Sequence, residues 1–426
     1  MVKKRKLSDI REKIANGTAR VMTVQELIES IAKGERVQFE DVDVITTATK
    51  GLMSGITGIL SFRLAAPRTI RKFIEVSING IDAYPGPCPN EYLGIIDLII
   101  YGTGHSTTID DYTGGMLFRD LVEGKPVDIV AKSVEGEIIK KVLTLKEMQF
   151  ARLMGTRQAI KNYNAMINPT TEKVDTIFSA LPFKPNNSQI TFSGCGALNP
   201  FQNDPNFEAF GVGMPLLVNG NIGHLIGPGT RNYLLKPNMM TIANLQGMKP
   251  EYMGSFKTSY GPEPICSIAV PIPILNENIF NNIIKSDKDV PLTILNLVGR
   301  EKLGEITYGD VWDNNFLVRF DAKKCNECDV CIIEKSCPTS AFNLKTGIDR
   351  IKCFNCGMCA IECPDKAFLA DLKTINFNGK EVPVVLRQSD RFGAIKLARE
   401  LKTMILEGEF ELKKPTGKLE FAERMK

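Results

Sequence analysis

Hydrophobic residues recur at helical spacing near the start of the chain and then give way to short apolar runs. Leu7, Ile10 and Ile14 lie three or four residues apart, and the stretch VQELIESIAKGE (24–35) has the same period. ARVMT, which lies between these two helices, and VDVITTAT (42–49), which follows them, have the apolar character of strands. This alternation of helices and strands predicts an α/β domain.

The middle of the chain is rich in glycine and proline, in segments such as SGCGALNP and GVGMPLLVNGNIGHLIGPGTR. These residues predict short strands joined by tight turns, with loops able to approach a ligand closely. The apolar stretch PICSIAVPIPILNENI (264–279) predicts a buried strand that runs into a helix. After Phe368, two strand-like halves around Asn378 and Gly379 predict a hairpin, and a helix over 390–408 closes the chain.

Composition narrows the classes of function. The chain has 426 residues, 43% of them hydrophobic and 24% charged, with a formal net charge of +4, which fits a globular protein of two or three domains. Aromatic residues are not interleaved with Arg and Lys, and the best apolar run (92–102) is short and interrupted by Asp97. No signal peptide is visible. We therefore expect a cytoplasmic protein that binds neither nucleic acid nor membrane, in which the 11 cysteines indicate metal rather than disulfides.

Eight cysteines lie in two short runs that have nearly the same spacing. The second run is C-x2-C-x2-C-x3-C-P, formed by Cys353, Cys356, Cys359 and Cys363. The first run has the same triple, followed by five residues, IIEKS, that lengthen its last loop; its cysteines are Cys325, Cys328, Cys331 and Cys337. Three thiolates at this spacing wrap one face of an iron–sulfur cubane. Zinc is the alternative, but a zinc site needs no third cysteine at this spacing.

The doubled motif resembles the bacterial-type ferredoxin with two [4Fe–4S] clusters. The resemblance implies that the fourth cysteine of each run, which precedes a proline, ligates the other cluster. One cluster would then take Cys325, Cys328, Cys331 and Cys363. The other would take Cys353, Cys356, Cys359 and Cys337. Such a module carries electrons and performs no chemistry on a substrate, so the larger part of the chain is expected to consume or supply them.

The chain is thus expected to have three parts. Residues 1–318 form a mixed α/β domain rich in glycine and proline, and residues 319–371 form a small α+β ferredoxin-like module. Residues 372–426 add the C-terminal hairpin and helix. The first boundary lies at a seam around 313–320, where DNNFLVRFD leads into the cysteine runs.

Three further cysteines are available for chemistry. Cys195, in FSGCGALNP, has a glycine on each side, which favours a turn and leaves the thiol open to approach, so it is a candidate catalytic residue. Cys88, in the proline-rich AYPGPCPN, is the second candidate. Cys266 lies in an apolar strand and is expected to be a small buried hydrophobic residue.

Other side chains in glycine-rich loops are weaker candidates. Arg231, in GPGTR, is a candidate clamp for a substrate carboxylate or phosphate, although such an arginine is more often structural. His105 and His224 also lie in glycine-rich loops, where proton transfer is conceivable, but a hydrogen-bonded loop histidine is the commoner case.

Most of residues 1–310 resembles the homocysteine-biosynthesis sulfur-incorporation family. The matching stretches are VDVITTATKGLMSG, INGIDAYPG, GGMLFRDLVEGK, LNPFQNDPNFEAFGVG, IGPGTR, GMKPEYMGS and VPIPILNE. With the two cysteine runs, the whole chain resembles the methanogenesis-marker metalloprotein branch of that family. The resemblance implies an anaerobic methanogen and L-aspartate semialdehyde sulfurtransferase-like activity, in which sulfide reaches the aldehyde carbon and reduction yields homocysteine.

The sequence departs from this family at the positions of its sulfur carriers. The family pattern has a cysteine directly after the methionine of the GLMSG stretch, where this chain has Ser54 after Met53. A second cysteine expected after DLVEGK is also missing, since PVDIVAKSVEGE contains none. Cys195 or Cys88 would then have to carry sulfur, because a thiolate both receives and releases it.

We therefore expect an iron–sulfur enzyme for reductive sulfur insertion that holds two [4Fe–4S] clusters. Its partners would be a small-molecule sulfur acceptor and an external low-potential electron donor, with a redox protein as a further partner. Two alternatives stay open at this point: an electron-transfer subunit without a substrate of its own, and a maturase that donates sulfur to a cofactor or protein.

Overall fold

The computed structural model describes residues 4–86, 91–312 and 317–423, and within these ranges the chain folds into two large sheets with short helices. The helices are α1 (Leu7–Ala15), α2 (Val24–Ala32), α3 (Gly114–Val122), α4 (Pro200–Asn203), α5 (Glu277–Ile283), α6 (Ile332–Ser336), α7 (Met358–Glu362) and α8 (Arg391–Leu406). None of these described helices combines the length and the hydrophobicity needed to cross a membrane.

The strands alternate with these helices along the chain. The first half contains β1 (Val21–Thr23), β2 (Val44–Leu52), β3 (Ile56–Arg63), β4 (Phe73–Ile78), β5 (Ile81–Pro85), β6 (Ile95–Tyr101), β7 (Val127–Ser133), β8 (Ile138–Leu143), β9 (Phe150–Gln158), β10 (Ala165–Ile167), β11 (Ile190–Phe192) and β12 (Pro215–Val218). The second half contains β13 (Asn221–Pro228), β14 (Met239–Asn244), β15 (Gly254–Thr258), β16 (Gly261–Pro273), β17 (Pro291–Asn296), β18 (Lys302–Thr307), β19 (Arg319–Phe320), β20 (Phe342–Asn343), β21 (Gly347–Ile348), β22 (Phe368–Leu369), β23 (Thr374–Phe377) and β24 (Lys380–Arg387).

The larger sheet has 14 strands in the order β1-β2-β16-β12-β13-β14-β9-β3-β6-β5-β4-β7-β8, with β15 paired to β16. Its longest pairing is that of β2 with β16, an antiparallel pair that runs from Ile265 opposite Leu52 to Pro273 opposite Val44. Both strands are almost wholly buried, so neither shows the alternation of apolar and polar residues that is typical of a half-exposed strand. The mixed α/β class predicted from the sequence is therefore confirmed.

The second sheet has six strands in the order β18-β17-β10-β11-β24-β23. Its last two strands are the predicted C-terminal hairpin, in which Phe377 pairs with Lys380 across the Asn378–Gly379 turn. Strand β24 then pairs in parallel with β11. The C-terminal hairpin is thus part of a sheet built mainly from strands of the preceding 318 residues.

The local signals of the sequence set most helix boundaries. Helix α2 begins with a capping box between Thr23 and Glu26, and Asn276 caps α5 by accepting a hydrogen bond from the Ile279 amide. Helix α8 packs on β2, where the Thr46 hydroxyl donates a hydrogen bond of 2.8 Å to the Ala398 carbonyl. The predicted helices over 7–16, 24–35 and 390–408 and the strand running into α5 are confirmed.

The cysteine runs lie in a small unit of short elements. Strand β19 pairs with β22, and β20 pairs with β21, while α6 and α7 each carry one run toward its last cysteine. The prediction that IIEKS lengthens a loop is wrong, because residues 332–336 form α6, a helical turn in which Ile333 is buried. The predicted seam at 313–320 falls partly outside the described residues, since 313–316 are not among them.

Candidate active site

A cavity of about 100 Å³ opens where the ends of the second sheet meet the larger sheet. The segments that follow β11 and β24 form one side, and residues of β2, β9 and β16 form the other. The lining residues are Thr49, Gly51, Leu52, Met53, Ser54, Arg157, Ala159, Ile160, Tyr163, Ile177, Phe178, Ser193, Gly194, Glu263, Gln388 and Ser389. Of the stretches that carry the family resemblance, VDVITTATKGLMSG (42–55) contributes to this wall, through residues 49 and 51–54.

Glu263 is the main acidic group in this cavity. The side chain is only 8% exposed, and its Oε2 has no hydrogen-bond partner among the described residues. Burial raises the pKa of Glu263, while the hydrogen bond from Ser54 and the positive charge of Arg231 partly oppose this effect. A half-satisfied carboxyl in an apolar strand is costly, so it points to a group that awaits a ligand.

Arg157 supplies the positive charge. Its guanidinium carbon lies 5.9 Å from the centroid of the Tyr163 ring, and its Nε has no hydrogen-bond partner within the described chain. Burial lowers the pKa of Arg157, and the neighbouring Arg231 lowers it further. The cavity wall thus includes a guanidinium and a carboxyl group, each with a polar atom that lacks a hydrogen-bond partner among the described residues, which suits a small polar ligand that carries its own anionic group.

Arg231, the predicted clamp, lies close to this pair but does not line the cavity. It is exposed, in the left-handed region at φ 51°, and interacts electrostatically with both Arg157 and Glu263. The structure thus brings it to the edge of the candidate site. His105 and His224, which the sequence also suggested, are absent from the cavity wall.

Cys195 lies behind the cavity wall and is fully buried. Its Sγ is 3.4 Å from the Thr49 hydroxyl, which donates to it, and burial raises the pKa of the thiol. The expectation that the flanking glycines leave this thiol open to approach is wrong. Gly194 has φ 118° and a Cβ there would collide with the Tyr308 hydroxyl, so glycine serves close packing at this turn.

The other two single cysteines add little to the cavity. Cys266 is a buried residue of β16, as predicted, and its Sγ accepts a hydrogen bond of 3.2 Å from Gln158. Burial raises the pKa of Cys266 to about 12. Cys88, the second predicted sulfur carrier, lies outside the described residues.

The sequence indicated Ser54 only as a departure from the family pattern. It did not indicate Glu263, Arg157 or Tyr163 as residues of the site. Ser54 is exposed and lines the cavity, so the position where the family has a cysteine faces the candidate site. A signal for Glu263 was present in the sequence, since it is the single charged residue of the apolar strand GPEPICSIAVPIP. Nothing comparable distinguishes Arg157 or Tyr163.

The first cysteine group surrounds a second cavity, of about 280 Å³. Its walls include the four cysteines implied for one cluster, which are Cys325, Cys328, Cys331 and Cys363. Apolar side chains complete the lining, among them Phe320, Phe342 and Phe368. The fourth thiol does come from the other run, so the donor set and the space fit a cubane cluster.

The second group is formed by four thiols that interact electrostatically with one another; these are Cys337, Cys353, Cys356 and Cys359. Burial raises the pKa of Cys353 to about 11 and also raises the pKa of Cys356 and Cys359. Backbone N–H groups are aimed at their sulfurs, as from Ala341 to Cys337 at 3.3 Å. Burial disfavours the thiolate form of these cysteines, whereas the backbone donors would stabilise it. A bound metal deprotonates its thiol ligands, so both features fit a metal site.

A single metal ion fits these groups less well than a cluster. Across the described ranges, no three His, Cys, Asp or Glu side chains converge on one ion. Each group instead has four thiols, and the first group encloses a cavity much larger than an ion.

The second cysteine group adjoins the candidate active site. The Cys356 carbonyl accepts a hydrogen bond of 2.9 Å from the Arg387 amide, and the next residue, Gln388, lines the cavity. Phe354 lies between two of the cysteines in sequence, and its ring centroid is 5.4 Å from that of Phe256. Both rings belong to an apolar cluster against which Leu52 of the cavity wall packs. Cys328 of the first group is exposed to solvent instead.

Comparison with known proteins finds sequence matches over most of this chain. A profile of the family described as homocysteine biosynthesis enzyme, sulfur-incorporation, matches residues 19–412. An uncharacterized protein of Methanothermobacter thermautotrophicus is 41% identical over 407 residues, covering 95% of this chain and 94% of the relative. No solved structure shows significant similarity.

Two other relatives match parts of the chain. The L-aspartate semialdehyde sulfurtransferase of Methanocaldococcus jannaschii is 30% identical over 303 residues, which cover 68% of this chain and 58% of that protein. The pyruvate synthase subunit PorD of Methanothermobacter marburgensis is 45% identical over 47 residues, 11% of this chain and 56% of that protein. The chain thus spans less than two thirds of the sulfurtransferase.

Proposed function

Because the chain belongs to the homocysteine biosynthesis, sulfur-incorporation family, we propose that it is a sulfurtransferase-like enzyme that inserts sulfur reductively into a small carbonyl compound. The observation that carries this proposal is the cavity lined by Glu263 and Arg157, each of which also has a buried polar atom without a hydrogen-bond partner among the described residues. Two groups of four cysteines lie beyond it, one of them adjoining its wall.

The proposed reaction replaces an aldehyde oxygen with sulfur and then reduces the carbon. Hydrogen sulfide adds to the aldehyde and water leaves, which gives a thioaldehyde; two electrons and two protons then give the thiol. When bound, two [4Fe–4S] clusters held by the cysteine groups would supply these electrons, one from each cluster. An external low-potential donor would replace the electrons after each turnover.

The residues of the cavity have distinct proposed roles. Glu263, whose pKa burial raises, would donate a proton to the aldehyde oxygen and assist its departure as water. Arg157, with Arg231 at the cavity edge, would hold a carboxylate of the substrate. Tyr163 packs against Arg157 and would fix the direction of the guanidinium.

L-Aspartate semialdehyde is the proposed substrate, and homocysteine is the product. This compound has an aldehyde for Glu263 and a carboxylate for Arg157, and the name of the sulfurtransferase relative supports the choice. Incubation of iron-loaded protein with sulfide, a low-potential reductant and this aldehyde should yield homocysteine, detected by mass spectrometry under anaerobic conditions. If folded, reducible protein gives no product with any of a panel of carboxylated aldehydes, the substrate assignment fails.

The source of the sulfur atom separates two versions of this reaction. Sulfide is already at the oxidation level of the product sulfur, so its direct addition needs no electrons beyond those that reduce the carbon. A persulfide on Cys195 or Cys88 stays a prediction, and for Cys195 it requires a buried thiol with a raised pKa to reach the cavity.

Replacement of Cys195 by serine tests the carrier role. Because the thiol is buried and held neutral, we expect Cys195→Ser to retain most of the turnover and to lose about 1–2 kcal/mol of unfolding free energy, the cost of burying a hydroxyl. Turnover and urea unfolding should be measured on the same iron-loaded sample. Loss of turnover in folded protein with full iron content would instead identify Cys195 as the carrier.

Ser54 provides a probe for the cavity. Because Ser54 is exposed there, we expect Ser54→Cys to be alkylated by iodoacetamide in the folded protein, with the semialdehyde slowing the reaction. Ser8→Cys on α1 is the matched control, since Ser8 is exposed and absent from the cavity wall. Peptide mapping measures both rates. Equal protection, or no protection, of the two cysteines would contradict binding at this cavity.

The absence of a cysteine at Ser54 also favours a second candidate function. The protein would then transfer electrons to a partner without converting a substrate, or donate sulfur to a protein or cofactor as a maturase. An electron-transfer subunit would co-purify with a larger redox complex and would bind no aldehyde. A maturase would label its macromolecular acceptor when supplied with radioactive sulfide.

A further inference from the structure

Arg387 is a buried cation whose side chain is only 1% exposed. Its Nε and one terminal nitrogen have no hydrogen-bond partner in the part of the chain that the structure describes. The guanidinium carbon lies 5.0 Å from the centroid of the Trp312 ring. A buried charge is costly unless it faces an opposite charge. The acidic groups around Arg387 therefore indicate which part of the protein its charge stabilises.

Four acidic groups surround Arg387, namely Cys356, Cys359, Asp371 and Asp390. Two of them have basic partners of their own. A carboxylate oxygen of Asp390 lies 2.9 Å from the Lys50 ammonium, and an oxygen of Asp371 lies 3.9 Å from the Lys373 ammonium. The remaining two are cysteines of the second group, and the Arg387 amide also donates to the Cys356 carbonyl at 2.9 Å. The charge of Arg387 is therefore directed mainly at this group.

The first cysteine group has the opposite electrostatic surroundings. Cys328 is exposed, and a carboxylate oxygen of Asp365 lies 3.9 Å from its Sγ. The same Asp365 is fixed by hydrogen bonds of 3.0 Å from the amide and the side chain of Asn326. Asp390 also acts on Cys353 of the second group, but Asp390 is paired with Lys50. The two groups thus differ in that the first has a fixed anion beside an exposed thiol, whereas the second has the buried cation Arg387 near it.

We propose that Arg387 raises the reduction potential of the cluster held by Cys337, Cys353, Cys356 and Cys359 above that of the other cluster. This inference rests on the proposed function, which assigns a cluster to each group. An added electron makes a cluster more negative, and a neighbouring cation stabilises that state. Burial alone lowers the reduction potential of a cluster. However, the low dielectric of a buried site also strengthens the attraction between Arg387 and the added electron.

The position of Arg387 relates this difference in reduction potential to the candidate active site. Gln388 and Ser389, the next residues, line the candidate active site. On the other side of Arg387, the Trp312 indole donates a hydrogen bond of 3.2 Å to the carbonyl of Gly194, which also lines it. Electrons that enter at the exposed first group would therefore collect at the group beside the substrate.

Arg387→Gln tests the inference in an EPR-monitored redox titration of iron-loaded protein. We expect one cluster to shift to lower potential by at least the equivalent of a tenfold change in its reduced-to-oxidised ratio, about 59 mV for a one-electron couple. Arg387→Lys, which keeps the charge, should recover part of the shift. Arg391→Gln is the matched control, because Arg391 stacks on Trp312 at 5.3 Å but has Asp287 as an ion-pair partner. Unchanged potentials in Arg387→Gln, with both clusters present, would overturn the inference.

A second measurement leaves Arg387 intact and guards against misfolding of the variants. Serine at Cys328 should alter the EPR spectrum of the first cluster only. After one reducing equivalent, we expect the spectrum of Cys328→Ser to equal that of the unaltered protein, because the electron resides on the other cluster. An altered spectrum at this stage would overturn the inference. Protein that binds no iron at all would instead overturn the proposed function.

Discussion

Glu263→Gln is expected to lower turnover by about 10²–10⁴-fold, the range that a positioned proton donor contributes. An amide fills the same space as the carboxyl but cannot release a proton to the aldehyde oxygen. Turnover of the unaltered protein should also fall as the pH rises through the raised pKa of Glu263, because the proton donor is then lost. The variant should lack this pH dependence.

The same substitution is expected to stabilise the protein. A carboxyl whose pKa is raised by folding binds its proton more tightly in the folded state, so the unfolding free energy falls as the pH rises from 4.5, its ordinary value, through the raised pKa. Glutamine avoids this loss. The gain should be about 1 kcal/mol at pH values above the raised pKa and should vanish below pH 4.5. Thermal or urea unfolding at several pH values measures it.

A carboxylate of similar chemistry but with satisfied partners serves as the control. Glu123, directly after α3, accepts a hydrogen bond of 3.1 Å from Arg119 and lies 2.6 Å from the Lys125 ammonium, and it does not line the cavity. Glu123→Gln should leave turnover unchanged and should not raise stability. If Glu263→Gln retained full turnover, the cavity would not be the site of proton transfer.

Loss of a thiol from either cysteine group is expected to abolish turnover. Cys325→Ala and Cys356→Ala each remove one thiol from a different group, and each should lower the bound iron by about half, since each group would hold one [4Fe–4S] cluster. Each variant should leave the EPR signal of the other cluster in place. Iron analysis and EPR of protein purified without oxygen measure these effects.

The matched control for these variants is Cys266→Ala, which removes a buried thiol from β16. It should keep all of the iron, although a small cavity lowers its stability by about 1 kcal/mol. Unchanged iron in Cys356→Ala would show that this thiol is not a ligand. Loss of all iron in both variants would indicate one shared site rather than two.

Local patterns in the sequence predicted much of the fold. Apolar periodicity located α1, α2 and α8, and the Asn378–Gly379 pair located the β23–β24 hairpin, because these elements depend on nearby residues. The pairing of β2 with β16 and of β11 with β24 was not predictable. Such contacts join residues far apart in the chain, and one sequence contains no record of that register.

In the candidate site, too, local features were predictable and contacts between distant residues were not. Spacing alone divided the cysteines into two runs, and the resemblance to ferredoxin implied that each run takes its fourth thiol from the other, an arrangement consistent with the lining of the first cysteine cavity. The active-site cavity, in contrast, is assembled from residues of distant segments, among them Arg157, Glu263 and Gln388. The burial of Cys195 was also hidden, because glycines beside a cysteine indicate either an open turn or a tight one.

A single-turnover experiment tests the central claim most directly. Iron-loaded protein is reduced, freed of excess reductant and mixed with sulfide and L-aspartate semialdehyde, while absorbance reports the oxidation of the clusters. The account predicts oxidation only when both compounds are present, with about one homocysteine formed for each chain, since two one-electron clusters hold the two electrons of one reaction. Clusters that stay reduced in the presence of both compounds, with no homocysteine formed, would contradict reductive sulfur insertion by this protein.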